Sequence, residues 1–144
     1  MRRVLRFFQL GRRARSVFVR SLIWVILYRV GLFVLPSRWC KQWTPGRKGP
    51  ERVAPDPQIV VEIVRSVKLV SRYVPYASCL TQSLAALKLL EVYGQAADLK
   101  IGVAKQNGRF EAHAWLEIDG QIVLGKQREH SRYVVLGGRE ALLR

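Results

Sequence analysis

The chain has 144 residues, 25 Lys and Arg against 10 Asp and Glu for a formal net charge of +15, and a hydrophobic fraction of 49%. That is one domain's worth of sequence with material for a real core, which leaves no room within it for a multidomain enzyme and excludes a solvated basic tail. Two cysteines exclude a disulfide-dense scaffold, and no zinc-ligand spacing or phosphate-cradling Gly-rich loop is present, so neither a metal nor a cofactor is expected.

Residues 1–52 carry thirteen Lys and Arg and one acid, Glu51, a net of +12, whereas residues 53–144 carry twelve against nine, a net of +3. The expected division is a basic, apolar helical extension with its linker, residues 1–55, and a balanced domain, residues 56–144. Pro and Gly in Thr44-Pro45-Gly46-Arg47-Lys48-Gly49-Pro50-Glu51 break regular structure between them. In the first part Arg6, Arg13 and Arg20 are seven apart and share one side of a helix. Leu22-Ile23-Trp24-Val25-Ile26-Leu27-Tyr28 is apolar all round. A membrane span is disfavoured, because Arg29 would fall near mid-bilayer at a cost of roughly 2.5–3.5 kcal/mol. No small-residue cleavage site follows the apolar run, which argues against a secretory signal and for a cytoplasmic protein. The helix is expected to pack on the rest of the protein or on a partner, with contact of residues 1–35 with a membrane surface as the alternative. Its Arg residues are interleaved with large aliphatics and no helix-turn-helix or zinc-finger pattern is present, so nucleic acid is not an expected partner.

Asp56-Pro57 reads as an N-cap and first turn, Ile59, Ile63, Val67, Val70 and Val74 recur at helical spacing, and Pro75 ends the helix. Ser78 reads as the next N-cap, which puts Cys79 at the first helical position, and Gly94 is the stop. A thiol there feels the positive end of the helix dipole, which favours the reactive thiolate. The remainder alternates with period two. Leu99, Ile101 and Val103 lead to an Asn107-Gly108 hairpin turn, a strand over 109–118, a second hairpin at Asp119-Gly120, a strand over 121–124 and a final strand over 133–136. The expected class is α+β, a Cys-bearing helix packed on an antiparallel meander with an N-terminal helical extension.

Of the two histidines, His113 lies mid-strand between Ala112 and Ala114. The Asn107-Gly108 turn sets Gln106 opposite Arg109 and Gly102 opposite His113, leaving space beside the imidazole for a helix end. The chemistry this suggests is a thiolate–imidazolium pair in which His113 takes the proton of Cys79, the thiolate attacks a carbonyl, and N–H groups at the helix start hold the oxyanion. The plain alternative is a small buried Cys and a structural His. Cys40 and His130 are expected to be dispensable. Asp119 and Glu129 are the candidates for a third member. A turn at Asp119-Gly120 sets Asp119 six residues from His113, roughly 20 Å at about 3.3 Å per residue, and puts Gly125 and Lys126 beside Ala114 and His113. The expectation is a Cys–His dyad helped by Gln127, Glu129 or a backbone carbonyl, with Asp119 serving the turn.

Tyr73-Val74-Pro75-Tyr76-Ala77-Ser78-Cys79-Leu80-Thr81-Gln82-Ser83-Leu84, Leu99-Lys100-Ile101-Gly102-Val103, and Glu111-Ala112-His113-Ala114-Trp115-Leu116-Glu117 with Asp119-Gly120 closely resemble the lasso-peptide leader peptidases, transglutaminase-like cysteine proteases of lasso-peptide biosynthesis. The resemblance implies a papain/transglutaminase-like fold, Cys79 and His113 as the catalytic residues, and removal of the leader from a ribosomal precursor peptide. The chain departs from the pattern near Gly125, where some members are acidic. It also lacks the winged-helix-type recognition domain that some members carry. The resemblance therefore implies a stand-alone peptidase working with a separate leader-recognition protein and an ATP-dependent lasso cyclase, on leaders with Thr at the penultimate position. The competing functions are a transglutaminase-like acyltransferase using the same Cys79 and His113, and a basic membrane- or nucleic-acid-associated adaptor without catalysis.

Overall fold

Both helix starts read from the second part of the sequence form on the residues that cap them. In the computed structural model, which describes residues 11–34, 54–106, 108–128 and 130–136, the helices are α1 (Arg12–Val34), α2 (Pro57–Ser71) and α3 (Cys79–Val92). Asp56 Oδ1 accepts from the N–H groups of Gln58 and Ile59 at 2.9 and 3.4 Å. Ser78 Oγ accepts from Thr81 N–H at 3.3 Å. Each cap answers helix-start donors that have no partner inside the helix and is worth about 1 kcal/mol. Helix α2 ends at Ser71 rather than running to Pro75. Pro75 forces Val74 away from helical backbone angles, and the chain tightens first, with Arg72 N–H on Leu69 O and Tyr73 N–H on Val70 O. Val74 still packs against the core.

The core lies between these helices and one face of the sheet. Val17, Val25 and Tyr28 of α1 join Ile59, Ile63 and Val67 of α2, Leu89 and Leu90 of α3, and Leu116, Ile118 and Leu124 of the sheet. Helix α3 contacts α1, α2 and the second strand and is buried on most sides, which explains its run of Leu and Ala with no polar face.

The sheet has strands β1 (Asp98–Gln106), β2 (Arg109–Ile118), β3 (Gln121–Leu124) and β4 (Val134–Val135) in the order β3-β2-β1-β4. The β1–β2 register runs from Gln106 opposite Arg109 to Asp98 opposite Glu117, with Gly102 opposite His113 as expected. Asp119 and Gly120 both have positive φ, 49° and 78°, the signature of a type I′ turn.

Two features depart from the expectation. The strands form a meander only through β3: the chain then crosses back over the sheet and adds β4 beside β1, with Leu136 N–H reaching Ile101 O. The β2–β3 register also slips, because Glu117 pairs with Ile122 but Leu116 pairs with Leu124. The extra residue is a β-bulge. It sets Gly125, φ 88°, against the backbone of Ala114 and Trp115.

Candidate active site

Cys79 is the first residue of α3, directly after its cap, and it is half-buried. The cap is doubled, since Ser78 Oγ also lies 3.1 Å from Thr81 Oγ1. The Gln82 side-chain amide donates to Ala77 O at 3.1 Å, tying the first turn of the helix to the loop before it. That loop is held from the other side by α1: Arg29 Nε donates to Pro75 O at 3.2 Å, and its guanidinium lies over the ring of Tyr76. Tyr76 has φ of 58°, a conformation that a bulky side chain adopts only under constraint.

His113 is buried on β2, and strand alternation decides its face. It points to the same side as Trp115 and Glu117, opposite to Leu116 and Ile118, which meet the helices. A smaller apolar cluster of Ala104, Trp115 and Tyr133 covers that second face. The space above Gly102 is therefore not open to a helix end. A Cβ at Gly102 would come within 2.9 Å of the Trp115 ring and 3.0 Å of Tyr133 Cβ; the indole occupies it.

Both ring nitrogens of His113 are engaged. Nε2 lies 2.6 Å from Gly125 O. A carbonyl can only accept, so Nε2 carries the proton and Nδ1 holds the lone pair. Gln127 Nε2 approaches Nδ1 at 3.4 Å, a long contact, while Gln127 Oε1 accepts from Tyr133 OH at 2.9 Å. Arg132 donates to Glu111 at 2.8 Å, and Tyr133 OH lies 3.4 Å from the same carboxylate oxygen. Trp115 Nε1 donates to Glu117 at 2.7 Å, which fixes the indole that stacks beside the imidazole at 6.1 Å between centroids.

His130, read as dispensable from the sequence, stands in the same cluster. Its ring is 6.1 Å from that of His113 and meets Trp115 edge-on at 4.4 Å. Neither of its nitrogens has a hydrogen-bond partner among the described residues. Burial, reinforced by His113 and Lys126 and opposed by Glu117, pushes its pKa below the ordinary histidine value.

A family model of the transglutaminase-like superfamily matches residues 24–137. The chain belongs to the transglutaminase-like superfamily. The match begins inside α1 and runs past β4, covering the helix start with Cys79 and the strand with His113. The α+β architecture agrees with it. The transglutaminase-like superfamily comprises, in general, cysteine proteases and acyltransferases. No curated protein and no solved structure gives a significant match.

The structure brings Gly125, Gln127, His130 and Tyr133 to His113 through the crossing segment between β3 and β4. It does not bring Asp119, which stays in the type I′ turn. Glu129 lies outside the described residues, as do Arg6 and Cys40. Helix α3 and strand β2 pack together, but His113 is on the face of β2 turned away from Leu116 and Ile118 and the helices they meet, and no hydrogen bond joins it to Cys79 in the structure. Among the described residues no cluster of His, Cys, Asp or Glu is arranged to hold a metal ion.

Proposed function

We propose that this protein is a cysteine peptidase that removes the leader from a lasso-peptide precursor, with Cys79 as nucleophile and His113 as general base and acid. The observation that carries the reading is a thiol at the first position of a capped helix in a transglutaminase-like chain. The resemblance of the three motif blocks around Cys79, Gly102 and His113 to the lasso-peptide leader peptidases is what supports the substrate class.

The chemistry rests on the tautomer of His113. With Nε2–H held by Gly125 O, the lone pair is on Nδ1, which Gln127 approaches. The imidazole and the α3 start must close on each other in the substrate complex, where Nδ1 accepts the proton of the Cys79 thiol. The long Gln127 contact is the one that yields. Hydrogen bonds between nucleophile and base are commonly loose in unliganded enzymes and tighten in the substrate complex. The thiolate attacks the scissile carbonyl, and N–H groups of the α3 start stabilise the oxyanion. Protonated Nδ1 then gives its proton to the leaving amine, and water, deprotonated by the same nitrogen, hydrolyses the thioester. Throughout, Gly125 O accepts from Nε2–H, so a main-chain carbonyl does the orienting that a carboxylate does in a triad.

Partners belong to the same proposal: a separate leader-recognition protein presents the precursor, and an ATP-dependent cyclase takes the product. The test is cleavage of a precursor by the purified chain with its recognition protein, read by product mass. Cys79→Ala and His113→Ala should abolish leader release, and Cys40→Ala should not. Release by folded Cys79→Ala contradicts the proposal, and a product bearing an added amine in place of water supports the acyltransferase instead.

A further inference from the structure

Helix α1 is apolar on two opposite faces. Val17, Ser21, Val25 and Tyr28 are buried against α2 and α3. Val19, Leu22, Ile23, Ile26, Leu27, Val30, Phe33 and Val34 are exposed, Phe33 at 80%. Their spacing of three and four puts them on one stripe opposite the buried one. From Val19 to Val34 the stripe runs about 22 Å at 1.5 Å per residue. A monomer does not leave a patch of that size open without a use for it.

We propose that this stripe lies in the interface of an anionic membrane, with the helix parallel to the surface. Charge and chemistry choose lipid over a protein partner. The stripe carries aliphatic side chains and one Phe, with no hydrogen-bonding group, whereas protein interfaces place polar groups every 100–200 Å² or so. Lipid tails require none. Helix α1 contains no acid, and its first turn exposes Arg12 and Arg15 on the side of the stripe, placed to meet phosphate headgroups. At the other end Arg29 lies over the rings of both Phe33 and Tyr76, and Tyr76 is 86% exposed. Aromatic side chains favour the headgroup level, so the surface continues from α1 to the loop that precedes Cys79. Although α1 is long and apolar enough to cross a bilayer, a span would strip Val17, Val25 and Tyr28 out of the core, so the helix lies on the membrane. The inference is independent of the proposed activity.

The experiment is flotation of the full chain with vesicles of phosphatidylcholine alone or mixed with phosphatidylglycerol, at low and high salt. Two variants accompany it, Ile23→Ser/Ile26→Ser/Val30→Ser and Arg12→Gln/Arg15→Gln, each checked for unchanged helicity and melting. The wild type should float with phosphatidylglycerol vesicles and much less with phosphatidylcholine alone or at high salt. The arginine variant should lose at least about tenfold in partitioning, each charge being worth roughly a fivefold change, and the serine variant should not float. The proposal is overturned if the wild type floats with neither vesicle or if the serine variant floats undiminished. It is equally overturned if the serine variant instead breaks a self-association of a chain that ignores lipid.

Discussion

Gly125 sits where the chain leaves β3 and where the imidazole of His113 is held, so its replacement tests packing and function together. In Gly125→Ala the new Cβ would lie 2.8 Å from Trp115 Cβ, 2.9 Å from Ala114 O and 3.0 Å from Trp115 Cα, at φ of 88°. The left-handed backbone costs a residue with a Cβ about 1–2 kcal/mol. The overlap falls on backbone and on the root of a buried indole, which cannot rotate away, and overpacking of this kind costs about 1–3 kcal/mol. The sum, about 2–5 kcal/mol, corresponds to a fall in Tm of roughly 6–15 °C for a domain of this size. Gly120→Ala is the control. Its φ is 78° but nothing lies within 4 Å of its Cβ, so only the conformational cost remains, about 1–2 kcal/mol. Thermal unfolding of both variants, with leader cleavage measured well below either Tm, separates the effects. Gly125→Ala should melt lower than Gly120→Ala and lose activity while Gly120→Ala keeps it. Equal falls in Tm would refute the packing argument, and full activity in Gly125→Ala would refute the role of its carbonyl.

Asp119→Asn should melt and cleave like the wild type, since Asn also tolerates the left-handed turn position; loss of several orders of magnitude in rate by a folded variant would mean that Asp119 reaches the site. His130 links stability to pH. Its pKa is lowered in the folded state, so near and below the ordinary value of about 6.5 the unfolded chain binds more protons and stability falls as pH drops. His130→Phe removes this contribution, so its urea midpoint should fall less between neutral pH and about pH 5 than that of the wild type; equal falls would show that His130 does not sense its cage.

The elements that build the fold were legible because each has a local cause. Asp56 and Ser78 cap, Gly94 stops α3, the β1–β2 register is set by the turn between them, and Asp119-Gly120 forces a type I′ turn. The features that escaped sequence reasoning are non-local. The bulge that shifts Leu124 onto Leu116 has no signature in Gln121-Ile122-Val123-Leu124, and one residue of slip redirects the chain from Gly125 onward. The crossing from β3 to β4 has no periodicity. The arrival of His130 and Tyr133 over Trp115 is therefore invisible in the sequence, which offers only Gln127, Glu129 or a backbone carbonyl beside the imidazole; Glu129 lies outside the described residues. The one clue was length: eight residues separate Leu124 from Tyr133, enough to cross two strands about 4.8 Å apart. The exposed stripe of α1 was hidden differently, because a helix apolar all round does not reveal from sequence which face is covered.

The central claim is that Cys79 and His113 act as a pair, and the rate of Cys79 alkylation tests it without any substrate. In a Cys40→Ala background, iodoacetamide labelling at one near-neutral pH is tracked by intact mass for the wild-type site and for His113→Ala. Only the thiolate reacts, so a base that takes its proton must raise the rate. The account predicts that the protein with His113 is labelled at least about tenfold faster than folded His113→Ala; equal rates would contradict the pairing and with it the assignment of the active site.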